Sequence, residues 1–169
     1  MPYLLTFSTY GSYLPGDRRG STDRHIGWRG AEPRLEDHVR KTMIEPAFQL
    51  SRHQDRRAVR DAIVELCAQK GWWLAALHVR TNHLHMVVDA DAAPERILQA
   101  CKAYATRALK GLYEVPRDKY WTRSGDVRRL DVGRALAIAI HYVLDGQGAQ
   151  MEIYAAEDRV QHPPISMGG

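Results

Sequence analysis

Residues 72–89, WWLAALHVRTNHLHMVVD, constrain the fold more than any other stretch of this chain. Residues 72–79 are a near-continuous apolar run of strand length, Arg80-Thr81-Asn82 offers a short turn, and residues 84–89 form a second strand-like run. Two such runs with so short a connection predict a hairpin at the centre of a sheet. In the second run Leu84, Met86 and Val88 alternate with His83 and His85. Alternate strand residues share a face, so the two imidazoles project together. Each can donate a nitrogen lone pair to one divalent cation. Two histidines that merely alternate with core residues are the plain alternative. What favours a site is the apolar setting, where two imidazoles on one face are costly unless they bind something. A third ligand must come from elsewhere.

The flanking sequence supplies partners for the hairpin. Residues 3–9 (YLLTFST) read as a first strand, followed by a glycine- and proline-punctuated loop reaching about Pro33. A loop of that length in a small domain is usually functional or disordered, and its aromatic and arginine content favours function. Helices are predicted over 35–50, with a break or kink at Pro46, and over 55–70, stopped by Gly71. A helix over 93–111 carries Ile97, Leu98, Cys101, Tyr104, Ala108 and Leu109 as its buried stripe, with Lys102, Arg107 and Lys110 elsewhere on its circumference. Residues 120–130 hold a short strand or hairpin around Gly125. Asp131 caps a last helix over 132–145 that is apolar nearly all round. The order β, α, α, β, β, α, β, α suggests an α+β, ferredoxin-like fold: an antiparallel sheet with helices on one face. Residues 1–155 make one domain, and residues 156–169 read as a flexible C-terminal tail.

Composition narrows the function classes. Two cysteines, Cys67 and Cys101, are too few and too far apart for a disulfide framework or a cysteine-based zinc site. No stretch approaches the roughly 20 apolar residues of a membrane span, and the N-terminus lacks a basic leader, so a cytoplasmic protein is expected. A formal charge of +4 is a mild bias, but arginine dominates it and often lies near aromatics. Guanidinium groups pair with phosphates and stack on bases, and exposed aromatics stack on bases too. Tyr13, Arg18, Arg19, Arg24, Trp28, Arg123, Arg128 and Arg129 are therefore the candidate DNA-binding residues; solvated surface charge is the plain alternative for any single arginine.

The H-hydrophobic-H segment, a helix-borne tyrosine 57 residues after His85, and the opening LTFSTYGSYLPGDRRGS of residues 5–21 together resemble the HUH single-tyrosine transposases. Within them the chain is most similar to REP-associated tyrosine transposases and related insertion-sequence transposases that act on single-stranded DNA. The resemblance runs from about residue 3 to residue 150. It implies an HUH endonuclease-like fold, and Mg²⁺ or Mn²⁺ held by His83 and His85. It also implies a covalent 5′-phosphotyrosine formed by Tyr142, and single-stranded DNA bearing a hairpin as partner, bound by a monomer or a homodimer. Among the other tyrosines, Tyr104 has a core position and Tyr113 and Tyr120 fall in a loop. The family's third ligand, commonly an amide one turn after the tyrosine, falls here on Gly146, which has no side chain. Gln147 is the first substitute and Asp145 the second. That departure is what favours the alternative, a domesticated, non-catalytic protein that binds DNA hairpins.

Overall fold

The hairpin expected at residues 72–89 forms, and its second strand is the middle strand of a five-stranded antiparallel sheet. This computed structural model describes residues 1–14, 17–18, 21–23, 27–115 and 117–157. The strands are β1 (Pro2–Ser8), β2 (Ser21–Asp23), β3 (Gly27–Arg29), β4 (Trp73–Val79), β5 (His83–Asp89), β6 (Asp126–Arg129) and β7 (Glu152–Ala155). The helices are α1 (Pro33–Thr42), α2 (His53–Lys70), α3 (Pro94–Lys110) and α4 (Arg134–Asp145). The main sheet has the order β6-β1-β5-β4-β7, and β2 and β3 form a separate two-stranded hairpin inside the segment read as an irregular loop. The α+β antiparallel architecture expected from the sequence is thus present. No helix among the described residues is long and apolar enough to cross a membrane.

Strand alternation sorts the core into two layers. Leu5, Phe7, Leu77, Val79, Leu84, Met86 and Val88 pack with Ile63 and Leu66 of α2 and with Ile97 and Cys101 of α3. On the opposite side Ala75, Ala76 and Val87 pack with Ala139, Ile140, Val143 and Leu144 of α4. So α2 and α3 share one face, as expected, and α4 covers the other. A β-bulge between Leu74 and Ala76 shifts the phase of β4. It lets Leu74 and Leu77 share the α2/α3 layer, which a regular strand forbids at a spacing of three. Downstream of it His78 lies directly opposite His85.

Several boundaries differ from expectation for identifiable reasons. The first helix stops at Thr42 instead of reaching about Leu50. Pro46 disfavours helix in the residues before it, and α1 buries none of its residues, so packing does nothing to extend it. Asp131 does not cap α4; two residues turn the chain first, Gly133 takes the cap position, and no side chain bonds there. That helix is also not buried all round, because only the sheet covers it: Ile138, His141 and Tyr142 face outward. Lys102, expected off the buried stripe of α3, is buried, and its Nζ donates to the carbonyls of Thr122, Arg123 and Ser124 at 2.8, 3.2 and 2.9 Å. Three acceptors replace the water an ammonium loses on burial. The four-residue strand β7 had no counterpart in the sequence reading. Gly71 ends α2 in the left-handed conformation, as its position predicted.

Candidate active site

The face of the sheet beneath α4 carries polar side chains where β5 meets its neighbours. His83 and His85 project together, as the period of two requires, with ring centroids 4.9 Å apart. Each has its Nδ1 occupied by a neighbour. Asn82 Oδ1 can only accept, so His83 donates Nδ1–H to it across 2.7 Å and keeps a lone pair on Nε2. Thr6, opposite His85 on β1, places its hydroxyl oxygen 2.7 Å from Nδ1 of His85. A histidine ligand is ordinarily held this way, with one nitrogen tied down so the other is aimed.

The helix α4 brings the remaining groups. The Tyr142 ring lies 5.6 Å from that of His85 at an interplanar angle of 70°, and Tyr142 keeps 43% of its surface exposed. Gln147, just past the helix, lines the same cleft as His83, His85 and Tyr142, and its side chain favours the protonated form of both imidazoles. Gly146 explains how. Its N–H closes the last turn on the Tyr142 carbonyl, and a Cβ there would sit 2.9 Å from that oxygen and 3.1 Å from Cδ2 of the Tyr142 ring. A side chain at 146 would therefore displace the tyrosine, and the amide arrives one residue later instead. Asp145 is engaged elsewhere, by His141 Nδ1 at 3.1 Å and Gln150 Nε2 at 3.3 Å. Among the described residues no cluster of three His, Cys, Asp or Glu side chains could hold a metal ion; the third polar group at this pair is an amide.

Burial holds the imidazoles neutral. Desolvation, with smaller contributions from His83, His78 and Arg80, pushes His85 down to about 4 against an opposing effect of Gln147. His83 is lowered by the same burial and by Arg80. A neutral imidazole is the form that can donate a lone pair to a cation.

These groups open into a cleft of about 520 Å³ that also receives Thr6, Tyr13 and Asp126. Asp126 lies opposite Thr6, so Asp126, Thr6, His85 and His78 form one row across four strands on one face. None of Thr6, Asn82, His78 and Asp126 is among the site residues expected from the sequence. Only Asn82, adjacent to the histidine pair, carried a local signal; the others are selected by cross-strand register.

The other sequence candidates disperse. Tyr104 sits on the α2/α3 side, donating to Gln69 at 3.2 Å, Tyr113 donates to Asp55 at 2.7 Å, and Tyr120 is buried in the large core. Tyr13 lines the cleft and Trp28 is 74% exposed on β3. Arg128 pairs with Leu4 on the α4 side of the sheet, whereas Arg129 pairs with Tyr3 and so belongs to the other face. Arg123 lies beside Lys102 and Gln99 in a groove on the α3 side, away from the histidines. Arg18 is exposed; Arg19 and Arg24 lie outside the described residues, as does the tail from residue 158.

Solved structures similar to this chain include two described as transposases. A REP-associated tyrosine transposase bound to a REP hairpin matches with 12% identity and a TM-score of 0.48, covering 85% of this chain and 64% of the other. This chain thus spans less than two-thirds of that relative's length. A Deinococcus radiodurans protein assigned to the transposases matches with 15% identity and a TM-score of 0.45, covering 92% of each chain. No curated protein matches. The family model described as "Transposase IS200 like" matches residues 43–129, just over half of the chain, including His83 and His85. The chain belongs to the IS200-like transposase family.

Proposed function

We propose that this protein nicks and rejoins single-stranded DNA through a covalent tyrosine intermediate at the cleft between β5 and the C-terminal end of α4. The observation that carries the reading is that Tyr142 and Gln147, from one helix end, share a cleft with two histidines from the central strand. The donor set fits a divalent cation: two neutral imidazoles with Nδ1 occupied, and an amide in the same cleft. His83, His85 and Gln147 would hold Mg²⁺ or Mn²⁺, and the ion when bound supplies Lewis-acid polarisation of a phosphodiester.

Tyr142 is the nucleophile. Its partly exposed phenol stands at the mouth of the cleft, where a strand lying over the histidines presents phosphorus to Oη. Attack forms the Oη–P bond and breaks the P–O3′ bond, leaving a 5′-phosphotyrosine and a free 3′-hydroxyl; the phenolic proton leaves as the 3′ oxygen gains one. The phosphotyrosine conserves the bond energy, so a second 3′-hydroxyl can reverse the step and rejoin strands. A hairpin-bearing strand is the substrate that the family resemblance implies. Tyr13 and Trp28 offer stacking surfaces and Arg128 a phosphate contact on the cleft side of the sheet. Gln147 in the same cleft offers the amide that Gly146 lacks, which supports the catalytic reading over a non-catalytic hairpin-binding protein.

The test is incubation with labelled single-stranded hairpin oligonucleotides and Mn²⁺. A slow-migrating covalent adduct is expected from the unaltered chain and none from Tyr142→Phe. An adduct that survives Tyr142→Phe rejects Tyr142 as nucleophile, and hairpin binding without any adduct returns the non-catalytic reading.

A further inference from the structure

One buried imidazole on the active face has no part in the chemistry above. His78 is 0% exposed and lies across the strand pair from His85. Its Nδ1 is 3.1 Å from the Val143 carbonyl oxygen, and the Met151 N–H donates to its Nε2 across 3.0 Å. A backbone N–H only donates, so Nε2 carries the lone pair and Nδ1 the proton, which goes to Val143. One ring thereby ties together the two ends of residues 143–151, the last residues of α4 and the connection to β7, which contain Gln147 and begin one residue after Tyr142.

The helix end shows why such a tie is needed. The last four carbonyls of a helix have no partner within it. In α4, Tyr142 O is taken by the Gly146 N–H, Val143 O by His78 and Leu144 O by Gln150 Nε2 at 3.1 Å. Arg80 adds a bond to the Ala149 carbonyl at 2.9 Å. Of these ties, His78 alone is fully buried, stands on the same sheet face as the metal-ligand pair, and holds both sides of Gln147.

We propose that His78 is a positioning residue with two separable tasks. Its Nδ1–H fixes the last turn of α4 and hence Tyr142. Its Nε2 fixes the return segment at Met151 and hence Gln147. This rests on the nicking reading for its consequences, but not for its geometry.

The two amide isosteres divide the tasks. His78→Asn keeps a donor near the Nδ1 position and loses the acceptor for Met151; His78→Gln keeps an acceptor near the Nε2 position and loses the donor to Val143. In calorimetric titration of the full chain with Mn²⁺ alone, His78→Asn should weaken binding about tenfold and His78→Gln should stay within about threefold of the unaltered chain. At saturating Mn²⁺ the order reverses for adduct formation: His78→Gln slows about tenfold, His78→Asn within about threefold. Parallel losses in both assays, or none in either, overturn the division and leave His78 as core filling. Two measurements need neither DNA nor metal, so they judge His78 even where the nicking reading fails. Amide exchange at Met151 should accelerate in His78→Asn and not in His78→Gln. The ring ¹⁵N spectrum of the unaltered protein should show His78 protonated at Nδ1; protonation at Nε2 refutes the proposal without any variant.

Discussion

The two faces of the central sheet are built from different materials. Against α2 and α3 the strands present leucine, valine, methionine and phenylalanine, and those helices return leucine and isoleucine. Against α4 their fully buried apolar side chains are Ala75, Ala76 and Val87, with Leu4, Trp73, Ile153 and Ala155 partly buried around them. Three histidines and a threonine stand beside these, and the layer opens at the cleft. Fully burying one large aliphatic side chain stabilises by roughly 1.5–3 kcal/mol, so the first face carries the fold. The second carries buried imidazoles, each needing a polar partner, and is stabilised only as far as those partners are in place. Stability and chemistry are thus assigned to opposite sides of the same five strands.

The largest effect should come from damaging the first face. Leu66→Ala removes a fully buried side chain of α2 and should cost about 2–5 kcal/mol in urea unfolding, while Mn²⁺ affinity measured on the folded protein stays unchanged. A loss of metal affinity in step with stability would show that the two faces are not separable.

Acid should act through the second face. His85 titrates near 4 in the folded protein and near 6.5 unfolded, so above 6.5 it is neutral in both states. Between 6.5 and 4 the unfolded chain takes a proton that the folded one refuses, and stability falls as pH falls, by up to about 3 kcal/mol, levelling below that window. Carboxylates titrate at the low end of the same range, so the measurement is the difference in urea-unfolding free energy between the unaltered chain and His85→Asn from pH 7 to 4. The variant should show the shallower slope, and identical slopes would remove His85 as the source.

The smallest effect sharpens the contrast. Gly146→Ala places a methyl against the Tyr142 carbonyl and ring and should slow adduct formation about tenfold, near 1.4 kcal/mol in the barrier, at a cost of about 1 kcal/mol in unfolding stability. An unchanged rate would mean that the turn does not set the tyrosine's position.

What the sequence made legible follows the same division. The hairpin and the shared face of His83 and His85 could be read because strand alternation is a local rule, and α2 and α3 because a stripe and a stop at residues 71 and 111 sit on the chain in order. The α4 side was not legible in this way. Thr6, His78 and Asp126 join the row of His85 through pairing register, which depends on residues far apart in sequence. Lys102 looked like a surface lysine because its three carbonyl partners lie about twenty residues away in an irregular loop. Gln147 could be nominated only by likeness to a family, since the reason Gly146 must lack a side chain is a clash visible in three dimensions.

The bulge in β4 turns the site into a matter of parity. Every residue of a strand is odd or even with respect to the sheet, and Leu74 and Leu77 share the large core only because Ala75 adds one to the count. Deleting Ala75 would leave the composition of the strand almost untouched. It would nevertheless force a choice: Leu74 keeps its side and His78 changes its own, or the reverse. An arrangement that spans four strands and a helix-end carbonyl is therefore keyed to a single alanine that touches none of the reacting groups.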